Sequence, residues 1–319
     1  MIAKRFDAIS LASLSRASLF GLLLTLPLLF RPLPENTRLE LLNWSWSWPF
    51  EAGVFLLPLL VIISAELFNL LDNRSRQFAP HNHLLVISSI LAVGLLAWAY
   101  TPTLLVLPFW IIFLNRWQWL LLHKDPRVKL FDLGFFLGVL SLWNPVALFL
   151  IPLVLASLLF FLPSSWRQWL AFFLGLSALF FLLLSLEGLL QFSCLAAWAR
   201  QFPPLGFQLP HWHQGMLIVF VTQVFLVLFA LSQYPRLFGR ANNQQRQALQ
   251  FWYFMLLLGG GGWLVLPGKE VWLLIGCLAA CWLLARIMDP IIRFPWRSLL
   301  YLLLLIFWLA PWLGAVFPL

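Results

Sequence analysis

Charged residues are scarce in this sequence: Asp, Glu, Lys and Arg together make up 10% of its 319 residues, against a hydrophobic share of 62%. A soluble domain carries roughly a quarter charged and about half apolar residues, so water cannot be the main solvent of this chain. Cysteine is nearly absent as well. Cys194, Cys277 and Cys281 are too few and too scattered for a disulfide framework. Cys277 and Cys281 stand one helical turn apart inside an apolar run, where small buried packing residues fit better than metal or redox chemistry. Also missing are a Walker A sequence, an HExxH zinc motif, a GxSxG nucleophile elbow and a nucleotide fingerprint, which leaves soluble-type catalysis without its usual parts.

What the chain has in abundance is long apolar runs. A helix rises about 1.5 Å per residue and the hydrocarbon layer is about 30 Å thick, so one crossing takes about 20 apolar residues. The runs 16–30, 52–71, 83–99, 104–121, 130–143, 145–162, 168–187, 215–232, 248–266, 270–286 and 298–317 predict an all-α polytopic membrane protein of about eleven spans. The first run, from Ala17 to Phe30, ends in Arg31-Pro32 rather than a small-residue cleavage site, so it reads as span one and not as a signal peptide. The segment Phe131–Leu162 is too long for one straight span. Asn144-Pro145 lies in its middle, where proline removes a donor and disfavours helix at the preceding residue, so the segment is split into a hairpin with Asn144 and Pro145 at its tip.

The basic residues test that split. With a cytoplasmic N-terminus and the hairpin in place, only Arg31, Arg38, Arg200 and Lys269 of the 20 Lys and Arg fall outside. Treating the segment as one span moves Arg167 and the later basic loops to the outer side and destroys the bias. The positive-inside rule therefore selects N-in and C-out. In a soluble protein a net charge of +9 would suggest nucleic acid as partner; here it reports orientation, and no nucleic-acid partner is expected. The same assignment puts Glu35, Glu40, Glu51, Glu187 and Glu270 at or near the outer face, and Asp7, Glu66, Asp72, Asp125, Asp132 and Asp289 at or near the inner one. With no acid clearly at mid-membrane, proton-coupled pumping loses its usual equipment.

Chemistry would then belong to two outer loops. Loop one, residues 31–51, carries Arg31, Glu35, Arg38, Glu40 and the run Asn43-Trp44-Ser45-Trp46-Ser47-Trp48. Loop four, residues 188–214, carries Arg200, Pro203-Pro204 and His211-Trp212-His213. Both are long enough for an amphipathic interfacial segment. Trp44 and Trp46 offer flat faces for a pyranose ring, although tryptophans also gather at the headgroup level for purely physical reasons. His211 and His213 lack a third ligand nearby, so no metal site is expected; they read as an interfacial pair. His81 and His83 read as solvated turn residues. Gly134 and Gly138 have the small-xxx-small spacing of close helix packing. Gly259–Gly262 is a run of four glycines, long enough to loosen a helix and mark a break that lines a cavity.

The stretch Leu104–Leu162 runs from an apolar span through a short basic turn, a span containing Gly134 and Gly138, and the polar-proline turn Asn144-Pro145, to another span. In this it resembles the GT-C superfamily, polytopic glycosyltransferases that take sugars from polyprenyl-phosphate donors. The resemblance extends over residues 1–187, which it implies to be a seven-span module; 188–214 would be an outer loop and 215–319 a four-span module. Many GT-C relatives have a basic residue where Asn144 stands, and their catalytic acid is often an aspartate in outer loop one, where this chain has Glu35 and Glu40. The resemblance implies Glu35 or Glu40 as the base that takes the acceptor's proton. It implies Arg38, Arg200 or Lys269 as the phosphate-binding cations, and Trp44, Trp46, His211 and His213 as sugar or acceptor contacts. No cofactor is implied beyond the polyprenyl-phosphate-sugar donor. The chain as a whole also looks like a family of polytopic proteins from Bacteroidota, which implies the bacterial inner membrane as its location. Two other classes fit the same sequence: a noncatalytic scaffold or accessory subunit with a protein partner in the membrane, and a lipid or small-molecule transporter.

Overall fold

The computed structural model describes residues 38–41, 44–47, 50–75, 106–120, 127–161, 166–190, 198, 224, 228–229, 231–239, 241–265 and 269–288. The expected spans 16–30, 83–99 and 298–317 lie outside these residues, as does most of 215–232. In chain order the elements are β1 (Arg38–Leu41), β2 (Trp44–Ser47), α1 (Phe50–Ser75), α2 (Leu107–Leu120), α3 (Arg127–Trp143), a 3-10 helix (Pro145–Leu150) running into α4 (Ile151–Phe161), α5 (Trp166–Leu190), α6 (Asn243–Val265) and α7 (Lys269–Met288). They belong to two compact units: one holds Met1–Leu33, Phe50–Leu105 and Phe207–Leu319, and the other holds Pro34–Pro49 and Val106–Gly206.

In the second unit β1 and β2 pair antiparallel, with Arg38 opposite Ser47, Leu39 opposite Trp46, Glu40 opposite Ser45 and Leu41 opposite Trp44. The other described elements are helical, in line with the all-α expectation. Trp44-Ser45-Trp46-Ser47 alternates with the two-residue period of a strand, and tryptophan favours the pleated backbone, so this part of loop one pairs as a short hairpin.

The helices of this unit are organised by glycine. A Cβ on Gly134 would strike the backbone carbonyl oxygen of Phe172, one on Gly138 would come within 3.1 Å of the Leu176 oxygen, and one on Gly175 would strike the oxygen of Phe131. The two helix backbones are therefore in direct contact, which only glycine permits. The contacts advance together along both helices, so α3 and α5 run parallel. Two parallel helices joined in sequence need a returning limb between them, and the segment from Pro145 to Phe161 supplies it. Its other contacts agree. Arg116 near the end of α2 reaches Asp132 at the start of α3, while the neighbouring Trp117 donates its indole N–H to Ser157 Oγ of α4 at 2.8 Å. On the buried side of α2, Trp110, Phe113 and Trp117 form a ladder with ring centroids 5.9 and 5.7 Å apart.

In the first unit α6 opens with a reciprocal capping box. Asn242 Oδ1 accepts from the Gln245 N–H at 2.9 Å, and Gln245 Oε1 accepts from the Asn242 N–H at 3.0 Å, satisfying two donors that a helix start otherwise leaves bare. The four-glycine run does not break this helix, which is continuous from Asn243 to Val265. Gly259 and Gly262 sit one turn apart and face α7, where an added Cβ would come within 2.5 Å of Gly276 Cα and of the Trp272 ring; Gly260 and Gly261 meet nothing within 4 Å. The cavity-lining break that the run could mark is not formed: half the run is a seat for α7. Trp252 stacks on Trp282 at 5.4 Å further along the same antiparallel pair. α7 is buried along Val271–Arg286, Cys277 and Cys281 included.

Two described helices, Trp166–Leu189 with 24 residues and Asn243–Val265 with 23, are long and apolar enough to cross a bilayer. Shorter apolar stretches are Pro145–Leu159 and Val271–Arg286. α5 turns Phe181, Leu182, Leu184 and Leu189 outward, with Leu189 79% exposed. A contiguous apolar surface of this kind is seldom left to water.

Candidate functional site

The residues singled out from the sequence are brought together only in part. Arg38, Glu40, Trp44 and Trp46 occupy the β-hairpin of the second unit. Lys269 opens α7 in the other unit. Glu35, Arg200, His211 and His213 lie outside the described residues.

Asn144 and Pro145 are placed in detail. α3 ends with the Asn144 N–H donating to the Leu140 oxygen at 2.9 Å. Asn144 itself is extended, with φ −141° and ψ 106°, and its side-chain oxygen accepts from the Val146 N–H at 3.1 Å. Pro145 follows at the first position of the new helix, where its missing N–H costs nothing. One asparagine thus stops one helix and caps the next. Beside this turn, Ser141 Oγ donates to the Gly138 oxygen at 2.7 Å, and the Ser141 oxygen accepts from the Trp198 indole N–H at 2.7 Å. Trp198 also packs edge-on against Phe180 of α5 at 5.2 Å. Trp198 is thereby pinned to the hairpin tip; the sequence does not single it out, because one tryptophan among 19 carries no signal of its own.

A second arrangement was also passed over. In the first unit, Asp72 at the end of α1 is 5% exposed and Arg286 at the end of α7 is 6% exposed, and the two form an ion pair. The other carboxylate oxygen of Asp72 accepts from the Trp282 indole N–H at 2.7 Å. The Arg286 guanidinium stands 5.0 Å over the Trp282 ring, Trp282 stacks on Trp252, and Trp252 packs against Phe68 at 5.6 Å. Phe68 and Asp72 are one helical turn apart, so the five side chains close a ring through α1, α6 and α7. The carboxylate takes one donor on each oxygen, which makes this a clasp between helices; nothing in its geometry offers a reacting atom.

Among the described residues no group of three or more His, Cys, Asp or Glu is gathered to hold a metal ion. Comparison with protein-family models, with curated proteins and with solved structures finds no match for this chain.

Proposed function

We propose that this chain is a multi-pass protein of the bacterial inner membrane with about eleven spans, N-in and C-out. Its first seven spans would form a GT-C-like module that moves a sugar from a polyprenyl-phosphate donor at the outer face. The observation that carries the reading is the parallel contact of α3 and α5 around a single returning limb. That order of limbs is what the resemblance requires of the Leu104–Leu162 stretch, and it supports the span parity behind the basic-residue bias. The pinning of Trp198 beside Asn144 supports a built outer end, where loop four meets the hairpin tip.

In this reading the acceptor hydroxyl, a poor nucleophile, gives its proton to Glu35 or Glu40 across about 2.6–3.2 Å. The departing polyprenyl phosphate is held by Arg38, Arg200 or Lys269; arginine suits it best, because its planar fork donates two hydrogen bonds to one phosphate. Glu35→Gln and Glu40→Gln variants that still insert are expected to lose sugar transfer from a polyprenyl-phosphate donor in purified membranes. Full transfer in both variants would remove the catalytic role. One observation favours a second reading, a noncatalytic accessory subunit of a membrane assembly: the buried Asp72–Arg286–Trp282 arrangement joins helices and offers no reacting atom. Transport loses its one hint in the sequence, since α6 passes through the glycine run unbroken.

The topology has its own test. A reporter fused after Asn242 should give a cytoplasmic signal and one fused at Leu319 a periplasmic signal. A cytoplasmic signal from the C-terminal fusion would overturn the span count.

A further inference from the structure

The helix directions of the second unit collect charge at one end. α2 delivers its C-terminal end there, since Arg116 reaches Asp132, and the parallel helices α3 and α5 both begin there. Among the described helix residues that end carries Arg116, Arg127, Lys129 and Arg167 against Asp132, and the other charge on the described helices of this unit is Glu187, near the end of α5. The cations are held side by side. One oxygen of Asp132 stands 3.7 Å from Arg116 Nε and 4.0 Å from Lys129 Nζ. These are ion-pair separations and not hydrogen bonds: the carboxylate fixes the spacing of the two cations and cancels only one of them. All three side chains are partly exposed, between 28% and 30%.

Two of these basic residues also come with a tryptophan. The Lys129 ammonium lies 5.4 Å from the Trp119 ring centroid, and the Arg167 guanidinium 5.7 Å from that of Trp166. Trp166 is 69% exposed. Indole rings settle at the boundary between headgroups and acyl chains, so these rings set the depth at which the neighbouring cations meet a bilayer. A dissolved phosphate would have no use for the exposed Trp166 ring.

We propose that this end of the unit binds anionic phospholipid headgroups of the cytoplasmic leaflet, with the lipid phosphate on Arg116 and Lys129 and the rings of Trp119 and Trp166 at the boundary below it. The inference rests on the N-in reading, which puts this end in the cytoplasm. Basic groups between spans on that side are attracted by the negative surface potential of the leaflet, and the attraction weakens with salt.

The test uses the full chain, purified in a neutral detergent and given phosphatidylglycerol or phosphatidylcholine. Retained lipid is counted by native mass spectrometry, and thermal unfolding is followed alongside. Phosphatidylglycerol should be retained at least about tenfold over phosphatidylcholine at low salt. The Arg116→Gln/Lys129→Gln variant should bring that preference close to unity while its unfolding in phosphatidylcholine stays as in the parent. Lys129→Gln alone should give an intermediate value, and Lys129→Arg should keep the preference. Equal retention of the two lipids by the parent, or a preference unchanged in the double variant, overturns the proposal. Displacement of the lipid by millimolar inorganic phosphate at constant ionic strength overturns it too, because the site would then belong to a soluble anion. A lost preference beside a cytoplasmic Asn242 fusion would remove this inference and leave the topology standing; a periplasmic Asn242 fusion would remove the topology itself.

Discussion

Gly175→Leu should abolish the packing of α5 on α3, with the loss of most folded protein from detergent extracts and a fall in unfolding temperature of about 10 °C or more in what remains. The reason is geometric. Even the first carbon of the new side chain would overlap the Phe131 oxygen and come within 2.9 Å of the Phe131 carbonyl carbon. Those atoms are helix backbone with no rotamer to yield, so the helices must separate. Overpacking of a close-packed interior costs about 1–3 kcal/mol even where side chains can shift, and a clash with backbone belongs at or above the top of that range. Gly134→Leu should behave alike, because its Cβ would meet the facing backbone at Phe172 and Leu176. Gly188 provides the control: it is exposed at the end of the same helix with nothing within 4 Å. Gly188→Leu should therefore leave the unfolding temperature where it is. If thermal unfolding in detergent shows Gly175→Leu and Gly188→Leu to be equally stable, the close backbone contact is wrong.

This helix pair shows how far the sequence reached. Gly134 and Gly138 advertise a packing face through their spacing alone, and Asn144-Pro145 advertises the break after α3 through the chemistry of proline. Gly175 gives no such sign, since it is a single glycine in an apolar run; it becomes legible only when the parallel direction of α5 sets it against Phe131. At Gly259–Gly262 the run was read by composition, as a weak point in a helix. A helical period would have read it better, because positions 259 and 262 fall on one face while 260 and 261 turn away. In the Trp44–Ser47 segment the two-residue alternation is visible in the sequence, but an interfacial aromatic belt accounts for the same tryptophans, so the pairing with Arg38–Leu41 is not legible from either strand alone.

For the candidate site the limit was of another kind. Charges in loops can be sorted to one side of a membrane by counting, but which of them meet is a long-range matter. Asp72 and Arg286 are separated by 214 positions. Each was read as a charge at the inner end of a span, and nothing local to either names the other. The parity of the spans does contain a hint, since both residues end helices expected to run in the same direction. Turning that hint into a pair needs the side-by-side packing of α1 and α7.

Asp72→Leu should destabilise the protein by about 3–5 kcal/mol, since it removes the counter-charge of a buried guanidinium. Arg286→Leu should cost a similar amount by removing the counter-charge of the buried carboxylate. The decisive variant is the double substitution Asp72→Leu/Arg286→Leu. Taking two charges out of water together is expensive, and a buried ion pair often gives no more stability than apolar residues of like volume, so the double variant should be more stable than either single one. The departure from additivity should be about 1–3 kcal/mol, as for residues in direct contact. Trp282→Phe isolates the remaining donor. It keeps a ring against Trp252 but removes the indole N–H from Asp72, and a hydrogen bond to a charged group contributes about 1.5–3 kcal/mol. Equilibrium unfolding of the detergent-solubilised protein measures all four variants against the parent. If the single losses simply add in the double variant, Asp72 and Arg286 act independently. The ring of five side chains that joins α1 to α7 would then have no energetic content.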